Sequence, residues 1–290
     1  MGEVISGIHI NRDPDTLELE GVRRSVAAAL KESGTVITKD NCYRVGIFLG
    51  TTFSNFKIRN INAETYFAKG VRAVNPADFP KGLISYLAGN ISIAFNIRGA
   101  NSTISSGRAS GIDALLEAMY FLRRDKNNSA VVVEFKETLD KKSVYPILAN
   151  VSLVIRNCSS ASQKKDNVEV CGLGYAFERA GATCGLIHAV EEALAFSPVD
   201  RKDLSGIFFS GMSMRQKQTV QRQLNERFGY SGKHIEAVSL ADATGLFGIG
   251  DMIIRKRSVL CRKKMSVTMF LNLGENTNSS CVMLKINGRS

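Results

Sequence analysis

Residues 101–116, Asn-Ser-Thr-Ile-Ser-Ser-Gly-Arg-Ala-Ser-Gly-Ile-Asp-Ala-Leu-Leu, hold the spacing in this chain best suited to chemistry. A short apolar strand runs through a Ser-Gly turn into a helix whose Ile112, Leu115, Leu116, Met119 and Leu122 recur at i, i+3, i+4, i+7 and i+10. Such an elbow presents its turn residue at a helix N-terminus, where free backbone N–H groups and the positive end of the macrodipole stabilise an anion or a thiolate. The residue at the apex is Arg108. An arginine keeps its proton, so it is no nucleophile, and its charge is unfavourable beside a positive helix end unless an anion is held there. Ser105, Ser106 and Ser110 surround it, but a serine nucleophile needs a base, and none is evident nearby in the sequence.

The other reactive residue types are dispersed. His9, His188 and His234 fall on different elements and read as surface or core histidines. Cys42, Cys158, Cys171, Cys184, Cys261 and Cys281 form no C-x-x-C pair, so neither a metal site nor a disulfide framework is expected, and all six read as small buried hydrophobes in a reducing compartment. No cofactor is implied. The net charge of +11 is strongly basic, and Arg255, Lys256, Arg257, Arg262, Lys263 and Lys264 bring six cations into one short window. That patch suits an acidic partner surface or is simply a solvated face. Aromatic residues do not interleave with it, so single-stranded nucleic acid is not the expected partner.

The elements that must position these residues read as layered α/β. A strand over 3–10, a helix over 19–33 closed by Gly34, and a strand over 43–49 ending in Gly50-Thr-Thr52 come first. Residues 53–79 read as polar and irregular, with a short helix around 63–68, followed by a helix over 83–95. After the elbow helix, Ala130-Val-Val-Val-Glu-Phe135 reads as a buried strand by its β-branched content. Strands over 149–156 and 168–175 are expected to form a hairpin about the polar turn at 159–167, giving a mixed sheet. From Gly181 the plan repeats: helix 187–195, strand 206–210, helix 215–228, strand 237–239, then a second elbow-like turn at Ala243-Thr-Gly-Leu-Phe-Gly-Ile-Gly250 and strands at 267–271 and 280–286. The expected division is an N-terminal half over 1–180 and a C-terminal half over 181–290. A hydrophobic fraction of 44% suffices for a sizeable core. No apolar run reaches the roughly eighteen residues of a membrane span, and the N-terminus lacks a basic flank and an apolar stretch, so a cytoplasmic protein is expected.

Four segments, Asn75-Pro-Ala-Asp-Phe-Pro80, Leu87-Ala-Gly-Asn-Ile-Ser92, Arg98-Gly-Ala-Asn-Ser-Thr-Ile-Ser105 and Ala109-Ser-Gly-Ile-Asp-Ala114, resemble in order and spacing the first half of the β-ketoacyl-acyl-carrier-protein synthases of the thiolase superfamily. The resemblance implies a thiolase-like α-β-α-β-α fold of two similar halves with mixed five-stranded sheets, here with shortened lid loops. It also implies a catalytic cysteine at the elbow, in the slot taken by Arg108. The family's two histidines and a lysine correspond to Gly211, Leu246 and Ala241, so no catalytic set is intact. Without the thiolate and both imidazoles, the family's condensation chemistry is not expected. What the resemblance then implies is a partner subunit akin to a chain-length factor, paired with a ketosynthase or with itself, and with an acyl carrier protein as the acidic partner of the basic patch. Arg108 would be salt-bridged to Asp242 or Glu275, and the strand at Val131, Val132 and Val133 would pair across a dimer two-fold. An enzyme of altered chemistry, with Arg108 holding a malonyl or acyl thioester, and a carrier-protein scaffold are the alternatives.

Overall fold

The computed structural model describes residues 3–11, 18–52, 55–138, 147–157, 168–177, 182–195, 197, 199, 203–230, 236–240, 245–259, 265–273 and 278–287. Five strands and their helices come first: β1 (Glu3–Asn11), α1 (Glu18–Ser33), β2 (Val45–Thr51), α2 (Phe56–Lys69), α3 (Tyr86–Ala94), β3 (Asn101–Ile104), α4 (Ser110–Arg124), β4 (Ser129–Thr138) and β5 (Ile147–Asn157). A second set follows: β6 (Val168–Phe177), α5 (Ala182–Ala195), β7 (Leu204–Ser210), α6 (Met214–Phe228), β8 (Glu236–Leu240), α7 (Leu246–Val259), β9 (Met265–Leu273) and β10 (Asn278–Asn287). Apart from one additional helix, α2 and α3 standing where the second set has α6 alone, the two sets share one element order. A division at 180/181 would cut the second set behind its first strand.

The strands run in the order β3-β2-β4-β5-β1-β6-β10-β9-β7-β8, and the two sets of five meet at β1 and β6 through only three antiparallel residue pairs. Side-chain alternation along the strands assigns the layers. On β4, Val131, Val133 and Phe135 pack with Val22, Val26 and Leu30 of α1 and Leu87 and Ile91 of α3, on the outside of the first five strands. Ala130 and Val132 face the opposite way, into a cluster with Ile112, Leu115 and Met119 of α4 and Ile249, Met252 and Ile253 of α7. Phe270 of β9 and Val282 and Leu284 of β10 enter that same cluster, whereas Met269 and Leu271 of β9 pack with α5 and α6 beyond. The order is therefore helix, sheet, helix, sheet, helix, with α4 and α7 as the shared middle layer. Each middle-layer helix must be apolar on more than one side, which the small residues Ala114 and Ala118, both fully buried, permit.

Three expectations are corrected here. The strand with Val131, Val132 and Val133 is no free edge: β4 pairs in parallel with β2 and antiparallel with β5, and all three valines are fully buried. The edge strand of the first set is β3, only four residues long. The strands β5 and β6 form no hairpin, because β1 lies between them and pairs antiparallel with both. The stretch read as irregular holds the 14-residue helix α2, which sequence periodicity hides because it lacks a buried stripe; Ile61, Tyr66 and Phe67 all point to solvent. No helix among the described residues is long and apolar enough to cross a membrane.

Candidate functional site at the two elbows

The first elbow is a strand, a 3-10 turn over Gly107–Ala109, and α4. Gly107 has φ +72°, a left-handed conformation that favours glycine. Ser110 fixes the turn. Its Oγ accepts from Ser106 N at 2.9 Å, lies 2.6 Å from the Gly107 carbonyl to which it donates, and stands 3.2 Å from Thr51 O at the end of β2. Thr52 Oγ1 donates to the same Gly107 carbonyl at 3.0 Å, so the turn after β2 and the elbow hold each other. The Ser106 hydroxyl donates to Asp113 Oδ2, one turn into α4. Burial raises the pKa of Asp113, opposed by the Ser106 bond. Arg108 takes part in the turn through its backbone; its side chain lies outside the described residues, as do Ala241, Asp242 and Glu275, and with them the expected salt bridge.

The second elbow leads through Gly245, at φ +63°, into Leu246, the first residue of α7. Leu246 is fully buried in the middle-layer core. Asn272 of β9 braces the turn, its Oδ1 lying 3.4 Å from Gly245 N and 3.0 Å from Ser210 Oγ. Gly211 follows Ser210 at φ +70°, and a Cβ there would stand 2.2 Å from the Leu273 carbonyl oxygen. Only glycine fits that position.

Glu134 of β4 is the group that sequence reasoning missed. Its side chain is buried, and Oε2 accepts from Leu246 N at 2.5 Å and from Phe247 N at 3.4 Å. Lys136 Nζ stands 3.3 Å from Oε1 and 4.9 Å from the centre of the Phe247 ring. Burial raises the pKa of Glu134; the Lys136 ammonium and the two amides work against that rise. The signal was present in the sequence: one acid interrupts the apolar run from Ala130 to Phe135, and an acid on a buried strand needs partners.

Open space lies elsewhere. A cleft of about 1150 Å³ runs along the outward face of α4, where Asp113, Tyr120 and Arg123 face Glu169, Cys171 and Tyr175 of β6. Arg123 Nε pairs with Glu3 at 3.0 Å at one side of it. Burial pushes the Cys171 thiol up to about 11 and raises Tyr175, to which Asp113 adds. Cys171 is thus an unreactive thiol at neutral pH.

Among the described residues, the remaining candidates do not converge on the elbows. His9 contacts Ser25 at 3.4 Å, His188 lies in a groove between α5 and α6, and His234 falls outside the described residues. Cys42, Cys171 and Cys281 are buried, whereas Cys184 is exposed, contrary to expectation, because it sits on the outer face of α5. Arg255, Lys256 and Arg257 continue α7 with side chains outside the described residues, and Arg262, Lys263 and Lys264 lie outside them entirely.

Two glycine-bearing elbows in one middle helix layer between two sheets are the geometry on which comparison with known proteins bears. The family model of the β-ketoacyl synthase N-terminal domain matches residues 22–176, more than half of the chain. This chain belongs to the β-ketoacyl synthase family. Among curated relatives, 3-oxoacyl-[acyl-carrier-protein] synthase 2 of Vibrio cholerae is 30% identical over 84 residues, covering 29% of this chain and 20% of the relative. The Vibrio harveyi protein of the same name is 33% identical over a stretch of the same length. The matched stretch thus spans about a fifth of these synthases. The fold extends the likeness to the whole chain. The ishigamide ketosynthase/chain length factor superposes with a TM-score of 0.72 at 12% identity, over 99% of this chain and 100% of the other. A ketosynthase in complex with its chain length factor from Xenorhabdus doucetiae also gives 0.72 at 12%, over 98% of each chain. A β-ketoacyl synthase from Burkholderia phymatum gives the same values over 99% and 100%. The synthase fold is therefore present at both elbows, including the half beyond the family match.

Proposed function

We propose that this β-ketoacyl synthase homologue is a non-catalytic partner subunit of an active ketosynthase, acting in the manner of a chain-length factor in fatty-acid or polyketide assembly. The observation that carries the reading is the state of the two elbows. Each leads through a left-handed glycine into its helix, and the positions that the resemblance pairs with the synthase cysteine and histidines are Arg108, Gly211 and Leu246. Gly211 has no room for a side chain, and Leu246 is sealed in the core. Neither an acyl-enzyme nucleophile nor an imidazole pair is supplied there.

The outer surface supports the partner role. Between residues 61 and 84 the chain exposes Ile61, Tyr66, Phe67, Val71, Phe79, Leu83 and Ile84, more apolar side chains in one segment than scattered surface residues account for. The segment is one structure, since Asn55 Nδ2 donates to the Leu83 carbonyl at 2.9 Å across it. Next to it, α3 contacts β3, whose outer edge has no strand neighbour among the described residues. An apolar segment beside an open sheet edge suits a large protein partner. Solved structures of similar fold include a ketosynthase with its chain length factor, and a pairing of that kind is the one proposed. An acyl carrier protein, brought by the ketosynthase and met by the basic residues 255–264, completes the assembly we envisage.

The deciding experiment is a native mass measurement on the protein isolated from its source under mild salt. A one-to-one complex with a chain of ketosynthase size is the expected result. An isolated protein that instead turns over malonyl or acyl thioesters above a boiled control would overturn the reading in favour of altered chemistry, for which Arg108, the anion holder in that reading, would be the first residue to replace.

A further inference from the structure

The side chain of Glu134 occupies the space between the first turns of both elbow helices. A Cβ on Gly111, in the first turn of α4, would stand 2.5 Å from its Oε2, and a Cβ on Gly245, at the start of α7, would stand 2.5 Å from Oε1 and 2.6 Å from Oε2. Two glycines, one on each elbow, are thus what lets the carboxylate fit. Two successive amides of α7 converge on one oxygen, and an ammonium stands by the other. This is the complement of donors with which a helix N-terminus receives a carboxylate-bearing ligand from solution. Here the carboxylate arrives from the protein's own central strand.

We propose that Glu134 is a built-in occupant of the small-carboxylate site formed between the two elbows, an intramolecular plug that closes the site to ligands from solution. Three features support it together. The group is buried to about 1% exposure, so no acid from solution reaches the α7 amides while it is in place. The neighbouring Asn272, fully buried, uses its oxygen for Gly245 and Ser210 while its Nδ2 has no hydrogen-bond partner among the described residues, which leaves a donor in the same polar locus. The open cleft lies along the other face of α4, lined by neither Glu134 nor Leu246. The plug is a separate matter from the existence of a ketosynthase partner, since it concerns only what fills the elbow site.

The test removes the plug and offers a replacement. Glu134→Gly and Glu134→Gln are compared with the unaltered protein by thermal unfolding in sodium acetate, sodium formate and sodium chloride at equal ionic strength. Glu134→Gly is expected to melt lower, and acetate and formate are expected to restore at least half of the loss saturably, with chloride inactive. The unaltered protein and Glu134→Gln, whose site stays filled, should respond alike to all three salts. Acetate acting on Glu134→Gly no more than chloride does would overturn the proposal. Should Glu134→Gly not fold, hydrogen exchange at the Leu246 and Phe247 amides decides instead: loss of the charged acceptor in Glu134→Gln should speed it by roughly ten- to hundred-fold. Unchanged protection of those two amides would equally sink it.

Discussion

At Gly211 and Leu246, two of the positions on which the proposed loss of catalysis rests, local physics restricts what side chain can stand there. Gly211 is the sharpest case, with φ +70° and the Leu273 carbonyl 2.2 Å from any added Cβ. Gly211→Ala should therefore destabilise by about 1–3 kcal/mol, read from the chemical denaturation midpoint at unchanged slope. A bulkier side chain there, histidine included, would be still worse. Asp113 gives a pH signature. Burial raises its folded pKa above the ordinary 3.8, so the folded state binds the proton more tightly than the unfolded one. The stability this contributes is complete below about pH 4 and is lost as pH rises through the folded value. Relative to Asp113→Asn, the unaltered protein should thus lose melting temperature as pH rises above about 4. A difference that is flat, or that grows with pH, would remove the buried-carboxyl account of the cleft.

At the scale of elements, the elbows are legible in sequence because their signals are local: an apolar series at helical spacing on α4, glycine at the turn, and small residues where β2 meets it. The pairing of strands was less legible. Register is set by partners far away in the chain, so the buried character of β4 did not fix its place in the sheet, which the resemblance put at a dimer edge, and a polar turn after β5 reads as a hairpin even though β1 returns to fill the gap. The helix α2 was underestimated for a related reason, having solvent where a core stripe would be. Its exposed side chains make the element-scale prediction. Phe67→Asp combined with Phe79→Asp should weaken the proposed complex with a ketosynthase at least about ten-fold while leaving the melting temperature of the isolated chain within about 2 °C, since both rings are exposed at 84% and 63%. Binding affinity measured by titration and a thermal scan check the two halves of that statement. Unimpaired binding would move the docking surface elsewhere.

For the whole molecule, the narrow join of three residue pairs between β1 and β6 suggests two loosely coupled units, but the middle layer argues otherwise. The cluster around α4 and α7 takes side chains from both sets of strands, and Glu134 of the first set binds the α7 amides of the second. Removing either half would expose a helix layer apolar on more than one side. The chain should therefore unfold in one cooperative transition, with far-ultraviolet circular dichroism and hydrogen exchange in β4 and β9 giving coincident midpoints. Two resolved transitions would show the halves to be independent.

The sequence by itself determined the layered α/β class, both elbows, and the identities at Arg108, Gly211 and Leu246, because each depends on residue types and short spacings along one segment. Only the tertiary structure decided that β3 rather than β4 is the edge, that Gly211 lies against the Leu273 carbonyl, and that Glu134 reaches the α7 N-terminus 112 residues away. Those facts are contacts between distant segments, fixed by strand order and by the helix layer that both sheets share, and no local periodicity encodes them.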